Sequence, residues 1–357
     1  MDIIDKLPGV VLPWYDAGHR DLPWRQDKTP YHVWLSEIML QQTRVEAVKG
    51  YYSRFLAVLP TVDALANCDD ELLHKLWEGL GYYSRVRNLK KAAQVIRERH
   101  GGVFPATFEE VLALPGIGAY TAGAICSICY DLPTPAVDGN VLRLVSRLTR
   151  ESTAVDDPAY QKQVRQQLER VYPARAGDFT QGLMELGATV CGPNREPDCE
   201  HCPCKAFCQG YLQGDAAAFP VRKAKKEKRR EEMTLFILSC DGAVALEKRP
   251  DTGLLAGLWQ FPNVPGTLEP GAAMERLEEM GLRPRSLTRQ SDKQHIFTHI
   301  LWQMRGFYVE VAQRSPGLVW RTPEEISREA ALPTAFRQFW EAPGQGKRNR
   351  ESNTREA

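Results

Sequence analysis

Four cysteines, Cys191, Cys199, Cys202 and Cys208, stand at intervals of x7, x2 and x5 and are the chain's strongest chemical signal. Thiolates this close together can wrap one compact inorganic centre, and their soft sulfur suits iron–sulfur or zinc. Cys204 lies inside the same loop and reads as a bystander. Cys126 and Cys129 form another C-x2-C, but in an apolar helical stretch with no further ligand nearby. Cysteine there behaves as a small buried hydrophobe. Two carboxylates complete the reactive set. Glu37 sits in Val33-Trp34-Leu35-Ser36-Glu37-Ile38-Met39-Leu40, apolar on nearly every side. Burial raises a carboxyl pKa and favours the protonated form that a general acid needs; the competing reading is an exposed glutamate on a helix face. Asp138 opens Asp138-Gly139-Asn140-Val141-Leu142-Arg143 and reads as a helix N-cap. A helix N-terminus favours an ionised carboxylate, so Asp138 is expected to stay negative at neutral pH.

Between them lies Leu114-Pro115-Gly116-Ile117-Gly118-Ala119-Tyr120-Thr121-Ala122. Gly116 and Gly118 permit positive φ and close backbone approach, and the following helix turns its unpaired N–H groups outward. That arrangement suits a phosphate. With a helix before and after, the string resembles the helix-hairpin-helix motif of endonuclease III-type glycosylases. The cysteine spacing resembles the 4Fe–4S loop closing their helical domain, although seven residues fill a first interval where six are usual. Ser36-Glu37-Ile38-Met39-Leu40-Gln41-Gln42-Thr43 is similar to the MutY family, adenine glycosylases acting on A mispaired with 8-oxoguanine. Leu22-Pro23-Trp24-Arg25, Gly79-Leu80-Gly81-Tyr82-Tyr83-Ser84-Arg85 and Leu255-Ala256-Gly257-Leu258-Trp259-Gln260-Phe261-Pro262 match it too, extending the resemblance over roughly residues 5 to 340.

The resemblance implies roles. Glu37 is the catalytic acid and Asp138 the catalytic aspartate, with Asn140 and Tyr120 orienting it. Gln41, Gln42, Tyr82, Gly116 and Gly118 contact double-stranded DNA, Gln42 and Tyr82 by entering the base stack. Trp24 and Arg25 line an adenine pocket, with Gln181 as a weaker candidate. For the aromatics, core packing is the competing reading. Cys191, Cys199, Cys202 and Cys208 hold a 4Fe–4S cluster. Tyr120 stands where lyase relatives carry lysine, and a phenol cannot form a Schiff base, so the implied reaction is monofunctional hydrolysis of the N-glycosidic bond of adenine opposite 8-oxoguanine or guanine. Phe297-Thr298-His299 matches a Phe-Ser-His loop that contacts 8-oxoguanine; threonine keeps the hydroxyl and adds a methyl. A buried strand histidine is the alternative for His299. The C-terminal part resembles a Nudix fold whose catalytic box is broken. Met274 replaces its arginine and the glutamate after Gly266 is missing, so pyrophosphate hydrolysis is not expected. A strand-cleaving lyase and a non-enzymatic DNA-binding module are the competing functions.

The elements that must position these residues fall into two halves. The chain has 357 residues, 43% of them apolar, enough for about two domains. Segments 31–59, 69–99, 107–114, 119–130, 140–148 and 159–171 favour helix, with apolar residues recurring at three and four. Strands are expected at 233–239 and 243–248, joined by a hairpin at Asp241-Gly242, and across 297–311. Thr322-Pro323-Glu324-Glu325 reads as a capping box with proline at the first helical position. The fold class is therefore multidomain. A mainly α-helical helix-hairpin-helix glycosylase domain spans 1–213, including the motif at 112–125 and the cluster loop at 191–208. A charged linker spans 214–232, an α+β Nudix-like domain that recognises 8-oxoguanine spans 233–342, and a disordered tail spans 343–357. Net charge is only +1, but Arg222, Lys223, Lys225, Lys226, Lys228, Arg229 and Arg230 crowd together, a run that reads equally as solvated linker or DNA contact. Nine cysteines without an export signal point to metal rather than disulfides. No signal peptide or membrane span is present, so the expectation is a bacterial cytoplasmic, nucleoid-associated monomer with no membrane partner.

Overall fold

Helices in this protein begin where a short polar side chain can take the first free N–H groups. Thr61, Asp69, Thr107, Asp138, Asp157 and Thr322 each accept such a bond in the computed structural model, which describes residues 2–193, 196–224 and 227–340. Thr322 and Glu325 form the reciprocal capping box. The described residues fall into two compact units, one within Met1–Cys68 and Arg87–Ala224, the other within Asp69–Val86 and Lys225–Ala357.

The first unit is helical. Its principal helices are Leu7–Ala17, Pro30–Leu40, Val45–Val58, Ala119–Tyr130, Gly139–Thr149, Pro158–Glu169 and Ala176–Thr189. Leu7, Val11, Val141, Val145, Phe179, Leu183 and Leu186 form one core, onto which Cys191, Cys204 and Cys208 pack. Phe108–Leu112 and Ala119–Tyr130 flank the glycine turn. Gly116 has φ +76°, and a Cβ there would lie 2.5 Å from Asn88 Cβ. Gly118 differs from expectation. It is extended, at φ −97° and ψ 174°, and a Cβ there meets nothing within 4 Å.

The second unit is a mixed sheet with helices on both faces. Its strands are β1 (Arg229–Cys240), β2 (Ala243–Lys248), β3 (Trp259–Gln260), β4 (Asn263–Pro265), β5 (Pro284–Ile296), β6 (Ile300–Val311) and β7 (Val319–Arg321). The order is β3-β2-β1-β6-β5, with β4 on β1 and β7 on β2. Among the described residues only β1 and β6 run parallel, with Phe236 opposite Phe307. The period of two is clear along β1: Leu235 and Ile237 face a core with Trp302, Phe336 and Phe339, while Phe236 and Leu238 face one with Leu277 and Phe307. Asp241 and Gly242 both take positive φ, 48° and 74°, as the tight hairpin demands.

Several expectations change. Segment 31–59 is two helices, parted where Gln42 takes φ 56°; 69–99 is Asp70–Trp77 and Ser84–Arg99, parted where Gly79, Gly81 and Tyr82 take φ 100°, 70° and 46°. Strand β5 was absent from the sequence reading because its side chains are largely polar and exposed, and backbone pairing with β6 creates it. Phe297-Thr298-His299 is the turn between β5 and β6 rather than strand, and His299 is exposed, which removes its reading as a buried strand histidine. Strand β1 also starts inside the segment read as linker, at Arg229. Lys225, Lys226 and the tail lie outside the described residues. Among the described residues, no helix is long and apolar enough to cross a membrane.

The two turn glycines therefore differ in tolerance. Gly116→Ala is expected to destabilise the protein by about 1–3 kcal/mol in urea unfolding, and Gly118→Ala by less than about 0.5 kcal/mol. Equal losses would contradict the geometry.

Candidate active site

Glu37 points into the first unit from a helix on which Val33, Trp34, Leu35, Ser36, Ile38 and Met39 are all buried as well. It is 6% exposed. Tyr120, in the first turn of Ala119–Tyr130, donates its hydroxyl hydrogen to Glu37 Oε2. Burial raises the Glu37 carboxyl to about 7; the Tyr120 hydrogen bond opposes this, Asp138's charge adds to it and Arg25 counters. Burial, with the charges of Glu37 and Asp138, pushes the Tyr120 phenol well above its usual range, so it remains a donor.

Asp138 caps Gly139–Thr149 and carries more bonds than a cap requires. Oδ1 accepts the N–H of Asn140 at 2.9 Å and of Val141 at 2.8 Å, and Oδ2 accepts Asn140 Nδ2 at 2.6 Å. Burial holds its carboxyl above the ordinary aspartate value, and the bonds from Val141 and Asn140, with the nearby Arg143 charge, offset this only in part. The cap alone had suggested only the downward pull. Asn140 has one usable orientation, because Arg143 Nη2 donates to its Oδ1 at 2.8 Å. The same guanidinium donates to Gly187 O at 2.6 Å and Cys191 O at 2.7 Å. Arg147 Nη1 reaches Cys191 O at 3.1 Å and Sγ at 3.2 Å. Sequence reading missed both arginines. Their signal was available: two arginines four apart on a helix of leucine and valine must share a buried face.

A second buried network surrounds the expected pocket residues. Arg25 Nη2 donates to Glu185 Oε2 at 2.7 Å, and Arg20 grips the same carboxylate through Nε at 2.7 Å and Nη2 at 2.8 Å. Burial would raise Glu185, but hydrogen bonds and charges from Arg20 and Arg25 prevail and hold it down at about 2. Glu185 was not anticipated, since nothing local marks it. Gln181, one turn earlier on its helix, is 4% exposed, and its Nε2 has no partner among the described residues. Trp24 is buried, its ring edge-on to Tyr52 at 5.6 Å between centroids. This packing is the competing reading given for Trp24.

Cys191, Cys199, Cys202 and Cys208 line one concavity with Leu144, Arg147 and Tyr211, while Cys204 is fully buried beside it. Two residues of the long first interval, Asn194 and Arg195, lie outside the described residues. Among the described residues, no three Cys, His, Asp or Glu side chains gather closely enough to hold a single metal ion.

Gln41 ends the Glu37 helix, and Gln42 follows, exposed at positive φ. In the second unit, Tyr82 is 47% exposed and its hydroxyl lies 2.8 Å from Thr298 Oγ1. Phe297 sets its ring edge against Trp302 at 4.8 Å and His295 at 4.6 Å, fixing the base of the turn. Glu37, Tyr120, Asp138 and Asn140 thus belong to one unit, and Tyr82 with Phe297, Thr298 and His299 to the other.

Residues 35–174 match the family described as HhH-GPD superfamily base excision DNA repair protein, and residues 233–342 match the NUDIX domain. Adenine DNA glycosylase of Mus musculus is 38% identical over 92% of this chain and 76% of its own length. The chain belongs to the adenine DNA glycosylase family. The Buchnera aphidicola (subsp. Acyrthosiphon pisum) member is 34% identical over 85% of this chain and 86% of its own length. A solved thermostable thymine-DNA glycosylase is 28% identical with TM-score 0.54, covering 59% of this chain and 97% of its own. The protein is accordingly a DNA glycosylase of the base-excision class, with a helical helix-hairpin-helix part and a Nudix-like α+β part.

Glu37 in this glycosylase should lower stability at neutral pH. Its folded-state value, about 7, exceeds the ordinary 4.5. The carboxyl is protonated in both states at low pH, and stability is lost as pH rises from the lower value through the upper. Glu37→Gln removes that loss and is expected to gain about 1–3 kcal/mol relative to the parent between pH 4 and pH 8. Urea unfolding at both pH values checks it; a constant difference would refute the burial of an ionisable Glu37.

Proposed function

We propose that this glycosylase hydrolyses the N-glycosidic bond of adenine paired with 8-oxoguanine or guanine in duplex DNA, and cuts no strand. The observation that carries the reading is the buried Glu37 carboxyl, raised to about 7 and hydrogen-bonded to Tyr120, with Asp138 close enough to shift it. Glu37 donates a proton to the purine, at N7, and so improves the leaving group. Asp138 remains anionic and stabilises the deoxyribose as it becomes oxocarbenium-like, with Asn140 and Tyr120 fixing its orientation. Two carboxyls with different protonation states divide acid and stabiliser roles as environment dictates. Water completes the reaction. Tyr120 supplies a phenol rather than an amine, which favours hydrolysis over a lyase.

Adenine enters an extrahelical pocket, a step easier at a mispair because less pairing and stacking is lost. Trp24, Arg25 and Gln181 line that pocket, and the unpartnered Gln181 amide supplies a donor to a purine nitrogen. Gln41, Gln42 and Tyr82 contact the duplex where the base leaves it. The strained backbone of Gln42 and Tyr82 fits residues held for function rather than for the fold. The Ala119–Tyr130 N-terminus, framed by Gly116 and Gly118, receives a phosphate. Phe297, Thr298 and His299 recognise 8-oxoguanine.

Cys191, Cys199, Cys202 and Cys208 hold a 4Fe–4S cluster. Four thiols around one concavity would suit an iron–sulfur centre, which takes its protein ligands as cysteine thiolates. When bound, it cross-links the loop, and Arg147 offsets negative charge at Cys191. Work on chromosomal DNA as a cytoplasmic monomer completes the reading.

Single-turnover excision from A paired with 8-oxoguanine, G, C and T tests it. Fast release from the first two pairs alone is expected; equal rates on all four would remove the mispair specificity. Glu37→Gln should slow excision by roughly 10²–10⁴-fold. The parent rate should fall as pH rises through about 7, because Glu37 must carry its proton. Tyr120→Phe deletes a bond that lowers the Glu37 value, so its alkaline limb should move to higher pH. Borohydride should trap no covalent adduct.

A further inference from the structure

The segment Leu255-Ala256-Gly257-Leu258-Trp259-Gln260-Phe261-Pro262 has no part in the chemistry above, yet the structure packs a helix from far earlier in the chain against it. Trp259 is buried, and its Nε1 donates to Glu71 Oε2 at 2.8 Å. Lys248 Nζ reaches the other oxygen of Glu71 at 2.5 Å. Gly257 has φ +70°, and a Cβ built there would lie 3.7 Å from His74 Cε1, so the turn passes close to the Asp70–Trp77 helix. At the lower end, Lys75 Nζ donates to Ala330 O at 3.3 Å and Glu78 Oε1 accepts the Leu332 N–H at 3.1 Å.

From that helix the contacts run directly to Tyr82. Trp77 Nε1 donates to Gly81 O at 3.0 Å, and Arg85 Nη2 to Leu80 O at 2.9 Å and Gly81 O at 3.1 Å. The Arg85 guanidinium also lies over the rings of Trp77 and Tyr82, at 5.2 and 5.7 Å. Tyr82 itself is exposed and at positive φ, a conformation that an L-residue keeps only when its surroundings hold it there.

We propose that Glu71 and Trp259 are positioning residues that seat the Asp70–Trp77 helix on the Nudix-like sheet and so aim Tyr82 at Thr298, setting the preference for 8-oxoguanine over guanine opposite adenine. This rests on the reading of Phe297-Thr298-His299 given above. Loosening the seat lets Tyr82 leave its 2.8 Å approach to Thr298, and the contact that distinguishes the two purines is lost. Excision from A:G, which does not use that contact, is unaffected.

The test is single-turnover excision by the full chain on A:8-oxoguanine and A:G, with thermal midpoints establishing that each variant is folded at the assay temperature. Glu71→Ala and Trp259→Phe should each lower the ratio of the two rates about three- to tenfold, a fraction of one charge-assisted hydrogen bond because the effect reaches Tyr82 indirectly, with the A:G rate within about twofold of the parent. Glu71→Gln, which still accepts from the indole, should restore most of the ratio. Glu71→Ala combined with Tyr82→Phe should fall no further than Tyr82→Phe alone, because both act through one contact. If Thr298→Ala lowers the ratio while Glu71→Ala and Trp259→Phe do not, or if those two slow both substrates equally, the positioning role is refuted and the loop reading stands. If Thr298→Ala and Tyr82→Phe leave the ratio unchanged, the loop reading fails and this inference with it.

Discussion

Two carboxyl groups share one poorly solvated space that raises both, and the first unit surrounds them with different sets of hydrogen-bond donors. Glu37 has one hydrogen-bond donor, Tyr120, among apolar neighbours, so burial governs it and its proton stays until about pH 7. Asp138 meets the same penalty but has three donors from a helix N-terminus. Tyr120 is near both charges, stays neutral and donates to Glu37, which tempers the Glu37 value without adding a titrating group. Such an asymmetry would serve the proposed reaction, in which the departing base gains a proton while the sugar left behind turns positive.

The asymmetry is held from behind. Asn140 can serve Asp138 only in one amide orientation, and Arg143 fixes it by occupying the oxygen. Arg143 is itself tied to the carbonyl of Cys191, and Arg147 to that residue's carbonyl and sulfur. The cysteine loop and the aspartate thus share buried arginines on one helix, so order in the loop supports the site from a distance. The cost is the burial of two guanidiniums, met by backbone carbonyls rather than counter-charges.

What the sequence made legible follows from the range over which each signal acts. Asp138 as a helix cap, the Asp241-Gly242 hairpin and the Thr322 capping box depend on residues within three positions, and all three are in the structure. The cysteine spacing is likewise local. The pairing of Arg25 with Glu185 spans 160 positions and that of Tyr82 with Thr298 spans 216, and no local pattern encodes either. Strand β5 escaped notice for a related reason. Its side chains carry no apolar alternation, and it exists because β6 offers a backbone edge. The break in the first long helical segment falls at Gln42, whose type does not announce positive φ, and that in the second at Gly79, Gly81 and Tyr82, where the glycines were a local signal the helical periodicity outweighed. The family resemblance singled out Gln42 and Tyr82 for DNA contact, not for a break in the helix.

Site-specific titration tests the division of protonation most directly. Isotope-edited infrared spectra of the carboxyl stretch, assigned by difference against Glu37→Gln and Asp138→Asn, follow each proton without relying on turnover. The account predicts a protonated band belonging to Glu37 that disappears with a midpoint at about pH 7, and no protonated band from Asp138 in the same range. A Glu37 already ionised at the acid end of that titration, or an Asp138 still carrying its proton at the alkaline end, would contradict it.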